Sequence, residues 1–173
     1  MNRRDTLKTL VLSTSSLIVL PAWAKGWTSA ELTGHSTSFS VADQEVLASV
    51  TDAIIPAGNS IGAVTVGVDK FLQKLLDDCY EKDIQENVKV QLAGLENAAQ
   101  SSYQKAFVNC SLTQRQELLT KLSLSENKNE KSFFDLLKSE TIRGFNTSKE
   151  VMTTYLHYKV MPGHYRGCVD VKS

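Results

Sequence analysis

The chain is poor in the features that mark specialised protein classes. Basic and acidic residues balance, 19 of each in 173 residues, and no run of like charges interrupts that balance. This excludes the electrostatic footprint of a nucleic-acid binder and the charged patch of a membrane-surface protein. No stretch alternates apolar and polar residues for long enough to make a strand, so a sheet protein is excluded. Neither an internal repeat nor a sustained heptad is present, which rules out a solenoid and a coiled coil. The apolar stretch Leu10–Leu20 is diluted by Ser13, Thr14, Ser15 and Ser16 and falls well short of the ~20 residues that span a bilayer. What remains is a soluble composition, 42% hydrophobic and 22% charged, with enough aliphatic side chains for one packed core.

The first two dozen residues read as an export leader. MNRRDTLK supplies a basic start, Leu10–Leu20 an apolar centre, and Ala22 and Ala24 the two small residues of a signal-peptidase site. Arg3 and Arg4, with Leu7 and Lys8 behind them, resemble a twin-arginine signal; Thr6 departs from it, standing where that signal usually carries Phe. An ordinary secretory leader with arginines in its basic region is the plainer reading. The twin-arginine route carries cargo already folded, which suits a protein that gains a partner or cofactor before export. The chain then divides into a leader over 1–24, a linker over 25–39 that is small, polar and without period, and a domain over 40–173.

Helix signals fill that domain. Ser40 and Asp43 form a capping-box start, Val46, Val50, Ala53 and Ile54 make a stripe, and Pro56 ends it. In the loop that follows, Gly58, Gly62 and Gly67 let the chain turn tightly; without a preceding strand or a GxGxxG order they make no dinucleotide cradle. A second stripe, Val68, Phe71, Leu72, Leu75 and Cys79, leaves Asp69, Lys70, Lys74 and Asp77 facing outward. A third helix from about Asp83 carries Val88, Leu92, Leu95 and Ala99. Thr113 is the expected cap of a fourth, with Gln116 reaching back and Leu118, Leu119 and Leu122 inside; Ser123–Glu130 reads as a loop. Phe133, Phe134, Leu137 and Thr141 mark a fifth, closed by Gly144 as a residue tolerant of positive φ, and Ser148 can cap a last short helix through Leu156. The expectation is an all-α fold of five to six short helices with an irregular C-terminal tail.

Candidates for chemistry are thin. His157, His164 and Cys168 lie close in sequence, but Pro162 and Gly163 break the helix that would align them, and no further ligand stands at metal spacing. The acidic cluster Asp77, Asp78, Glu81 and Asp83 alternates with Lys82 and reads as a solvated helix junction. A helix of about twenty residues spans ~30 Å, and the seven residues to Cys110 return at most ~23 Å, which disfavours a Cys79–Cys110 bridge. Cys79 falls on the apolar stripe and reads as a buried thiol, whereas Cys168 is free to pair with Cys110 or with another chain. No catalytic, cofactor or metal residues are assigned. Tyr158, Pro162, Tyr165, Gly167 and Cys168 instead form an aromatic, irregular tail suited to burial against a partner.

These features together resemble the gluconate 2-dehydrogenase subunit 3 family: the leader, DAIIP at 52–56, Gly62-Ala63 and Gly67-Val68 leading to Phe71, Leu112–Gln116, the run from Phe133 through GFNTS, and the closing PGHYRGC. Ile61 departs from the family pattern, where Pro often precedes Gly-Ala, and the linker is long. The resemblance implies a periplasmic accessory subunit without a redox cofactor of its own. Its partner would be an FAD-bearing large subunit of the glucose–methanol–choline type, exported on this chain's leader, often with a membrane-bound multihaem cytochrome c as third subunit. Two other readings stand beside it: a free-standing periplasmic enzyme using Cys168 with His157 or His164, and a homo-oligomeric structural protein that buries its own tail.

Overall fold

The structure, a computed structural model, describes Trp27, Thr28, Leu32 and residues 37–159. Among the described residues five α-helices follow one another: α1 Val41–Ile54, α2 Val68–Cys79, α3 Lys82–Tyr103, α4 Leu112–Ser123 and α5 Lys128–Thr147. A 3₁₀ turn, Phe107–Asn109, joins α3 to α4, and a π-helical turn, Val151–Tyr155, follows α5. Among the described residues there is no strand, only an isolated parallel bridge between Trp27 and Ser148. The all-helical expectation holds for this part of the chain.

The core forms where the helical stripes converge. α5 lies against α1, α2, α3 and α4, and α1 touches every other α-helix. Leu47, Val50, Leu72, Leu76, Val88, Leu92, Leu95, Phe107, Phe133 and Leu137 are buried between them. A core of this kind draws its stability from apolar area removed from water, and each of these side chains contributes roughly 1.5–3 kcal/mol when fully buried.

The start of α1 is as expected: Ser40 Oγ accepts from the Asp43 amide at 3.2 Å and Asp43 Oδ2 accepts from the Ser40 amide at 3.1 Å. Four other expectations are corrected. α4 is capped by Ser111 and Gln114, two residues earlier than Thr113 and Gln116, because Ser111 holds the extended backbone that a cap needs. α5 begins at Lys128 on an Asn127 cap, which shortens the loop read from 123 to 130. Gly144 does not end α5; the helix runs through it to Thr147, and the corner falls at Ser148. On α2 the buried face is Val68, Leu72, Gln73 and Leu76, with Phe71 and Leu75 half-buried and Cys79 exposed. The stripe read from sequence is rotated by about one residue, since Leu76 and not Leu75 points at the core.

The stretch read as a spacer is packed at its described residues. Phe39 is buried under α3 with Lys89 Nζ 5.1 Å above its ring. Ser38 donates through its hydroxyl to Asp77 at 2.6 Å, so Asp77 is tied down where an outward-facing residue was expected. In the loop after α1, Gly67 adopts φ 83° at the entry to α2, and a Cβ on Gly62 would come within 2.5 Å of the Ala57 amide. Gly58 has open space around it and no such requirement.

Candidate functional site

The corner between α5 and the π turn gathers the parts of the chain that have no place in the core. Trp27 organises it. Its indole stacks on Phe71 of α2, with ring centroids 5.0 Å apart and planes within 15°. Its Nε1 donates to the Gly144 carbonyl and to Thr147 Oγ1, both at 3.2 Å, and its own carbonyl accepts from the Lys149 amide at 2.9 Å. Gly144 lies in the last turn of α5, where carbonyls run out of amide partners four residues on; its carbonyl also accepts from Thr147 Oγ1 at 3.4 Å, and α5 has no basic residue in its last turn. Trp27 therefore serves as an external C-terminal cap.

The close approach beneath it depends on Gly144. A Cβ there would lie 2.7 Å from Phe71 Cδ1 and 3.3 Å from Val68 Cγ1. Phe71 thus lies close against α5 at Gly144 and has Trp27 stacked on its ring. On one side of Trp27 is a cavity of about 290 Å³ with Thr65, Val66, Ser148, Lys149 and Thr153 in its wall. On the other is an apolar groove of about 300 Å³ bordered by Leu32, Phe71, Leu75 and Cys79.

From this corner the chain leaves toward its C-terminus. Ser148 Oγ accepts from the Val151 amide at 3.4 Å, but the turn that follows has π geometry and starts from Glu150, which makes no side-chain cap. Tyr155, Leu156 and Tyr158 are all exposed, at 48%, 60% and 49%. The Tyr158 amide donates to the Met152 carbonyl at 2.8 Å, and His157 between them takes φ 51°. Three large apolar or aromatic side chains in four residues, on a fixed backbone, form a surface suited to a partner.

The predicted site residues divide sharply. Tyr158 stands in this exposed patch. Pro162, His164, Tyr165, Gly167 and Cys168 lie outside the described residues, as do Arg3, Arg4, Leu7, Lys8, Ala22 and Ala24. Cys110 is a buried thiol donating to the Ala106 carbonyl at 3.5 Å. The acidic residues 77, 78, 81 and 83 do not converge on a metal, and among the described residues no three His, Cys, Asp or Glu side chains do. Burial raises the Asp69 carboxyl above its ordinary value of 3.8, against the pull of hydrogen bonds from the Lys70 and Asp69 amides. The Tyr80 phenol is raised first by burial and then by Glu140, which accepts its hydroxyl at 3.1 Å. Trp27 escaped the sequence reading because a polar, aperiodic neighbourhood outweighed it; its size and its N–H, which needs a partner when buried, were the available signal.

The short motifs within residues 40–159 meet one another in space. Asp52 of DAIIP pairs with Arg115 at 3.1 Å, Arg115 donates to the Ser49 carbonyl at 3.1 Å, and Gln116 donates to the Ala53 carbonyl at 3.0 Å. α1 has no basic residue in its last turn, so Arg115 supplies the positive charge its carbonyl end favours. Ala63 donates to the Ile55 carbonyl at 2.9 Å, and Phe71 meets Gly144 of the GFNTS run. The family model for gluconate 2-dehydrogenase subunit 3 matches residues 42–163, a span that runs from the second residue of α1 through α5 and the exposed corner. The chain belongs to that family. No curated protein and no solved structure matches it. The family is one of accessory subunits of a multisubunit dehydrogenase. Among the described residues no helix is long and apolar enough to cross a membrane.

Proposed function

We propose that this protein is the non-catalytic small subunit of a periplasmic, FAD-dependent dehydrogenase of the glucose–methanol–choline type. It carries the twin-arginine signal for the complex, binds the folded flavin-bearing chain in the cytoplasm and remains bound to it after export. Family membership over residues 42–163 is the observation that carries this reading. The exposed Tyr155, Leu156 and Tyr158, leading into the tail with Pro162, Tyr165, Gly167 and Cys168, support it as the surface that meets the large subunit. A multihaem cytochrome c is a third subunit in the same proposal, and it would bring the complex to the membrane.

The tail gives the test. An aromatic anchor at an interface contributes about 2 kcal/mol or more, close to a thirtyfold change in Kd. Tyr158→Ala should weaken binding of the flavin-bearing chain by about that factor, and a chain ending at residue 159 should weaken it further. Tyr158 is half exposed in the isolated subunit, so the Tm of that subunit should hardly move. Unchanged affinity, or a large fall in Tm, would show that the tail does not serve as the docking surface.

A further inference from the structure

A groove of about 440 Å³ lies between α1, α3 and the 3₁₀ turn, and it shares no lining residue with either cavity beside Trp27. Val46 and Leu92, 6% and 1% exposed, form its floor, with Ala42, Ala93 and Val108 around them. Apolar surface continues outward from it. Val108 is 39% exposed, Val41 beside Ala42 is 72% exposed, and Val90, one helical turn before Ala93, is 64% exposed. The charged residues in the lining are Asp43, Glu45 and Glu96, all acidic. We infer that this groove is a second docking surface for the flavin-bearing chain, taking a helix that presents one Lys or Arg between small apolar side chains. This rests on the function proposed above and extends it to a second face of the domain.

Charge selects the occupant. Asp43 Oδ2 accepts from the Ser40 amide at 3.1 Å and from its hydroxyl at 2.7 Å, and Glu96 Oε2 accepts from the Phe107 amide at 2.9 Å. Both carboxylates are therefore held in place before any partner arrives. Glu45 is exposed and joins no ion pair among the described residues. Lys89 and Lys105 stand near these positions in sequence, but neither lines the groove, and Lys89 lies over the Phe39 ring. A Lys or Arg entering here can lay its apolar stem along Val46 and Leu92 and bring its charged end to Glu45. The same carboxylates repel nucleic acid and anionic lipid. They also disfavour a second copy of this chain, since a two-fold contact through the groove would set like charges against one another.

Shape and area point the same way. A trough between two helices is filled by the apolar face of a third. Ala42, Ala93 and the neighbouring Gly94, where an added Cβ meets nothing within 4 Å, leave room for its axis to approach to about 8–10 Å. A stable interface takes about 800 Å² from each partner. Tyr155, Leu156 and Tyr158, each about half exposed, supply on the order of 300 Å² of that. The remainder has to come from the tail and from other apolar faces of the domain, and this groove is such a face.

The test recombines the small subunit with the purified flavin-bearing chain and reads Kd and association rate at low and high salt. Ala93→Arg fills the groove and sets a positive charge against the incoming one; Ala93 is exposed and Arg is a good helix former, so the Tm of the isolated subunit should stay put. Glu45→Lys reverses the charge and Glu45→Gln removes it. Ala93→Arg and Glu45→Lys should each raise Kd about tenfold or more, and Glu45→Gln should flatten the salt dependence of the association rate, which a contact of shape alone would not do. Natural Kd and salt dependence in all three variants would overturn the groove as a docking surface while the natural pair still binds. Self-association of the isolated subunit that Ala93→Arg abolishes would assign the groove to a second copy and overturn it too. If the natural subunit binds no flavin-bearing chain at all, the proposed function itself is wrong and the inference falls with it.

Discussion

Gly144→Val is expected to lower the Tm of the domain by roughly 10 °C. Even the first added carbon would meet Phe71 at 2.7 and 2.9 Å and Val68 at 3.3 Å. The Phe71 ring has little room to yield, since Trp27 is stacked on it at 5.0 Å. Forcing extra carbons into a packed contact costs about 1–3 kcal/mol. Losing the Trp27–Phe71 stack costs about 0.5–1.5 kcal/mol more. Gly94→Ala is the matched control: Gly94 is also helical, within α3, with nothing inside 4 Å of the added carbon. It should gain up to about 1 kcal/mol from helix propensity alone. Thermal unfolding followed by circular dichroism separates the two, and a Gly144→Val melt like that of the natural protein would contradict the packing described at this corner.

The second large effect is on location. Replacing Arg3 and Arg4 together by Lys keeps the charge of the leader but removes the guanidinium pair, and the two side chains are not equivalent in recognition. In the proposed account this abolishes export of the small subunit and leaves the flavin-bearing chain in the cytoplasm with it. An ordinary secretory leader needs only the positive charge and would export the variant at its usual level. Cell fractionation with detection of both chains reads the result. Periplasmic accumulation of either chain at the natural level would remove the twin-arginine reading.

Helix number, the α1 capping box and the α3 stripe were legible because they rest on local chemistry. Ser40 with Asp43 needs only four consecutive residues, and Val88, Leu92, Leu95 and Ala99 repeat at an undisturbed helical period within a helix of 22 residues. The errors arose where tertiary contacts decide. Ser111 and Thr113 both offer a capping hydroxyl, and the choice follows from how Arg115 and Gln116 must reach the end of α1. Gly144 looked like a helix terminator because glycine usually serves there. Its actual role, making room for Phe71, depends on a residue 73 positions earlier that periodicity cannot pair with it. Cys79 was placed inside by a stripe whose true centre is Leu76. The size and N–H of Trp27 marked it as a residue needing a partner, but no local rule could name that partner, since each of its contacts lies on α2, α5 or the residues just beyond. Of the candidate interface, Tyr158 could be read as an exposed aromatic, but the π turn and its neighbours Tyr155 and Leu156 as a single patch required the fold.

The account's central claim is that this chain works as one member of a complex. Native mass spectrometry of the protein purified from the periplasm under non-reducing conditions tests it most directly. The account predicts a stoichiometric assembly in which a second, larger polypeptide carries the flavin and has no leader of its own. A solitary monomer, or a lone processed chain that itself binds a prosthetic group and turns over substrate, would contradict it.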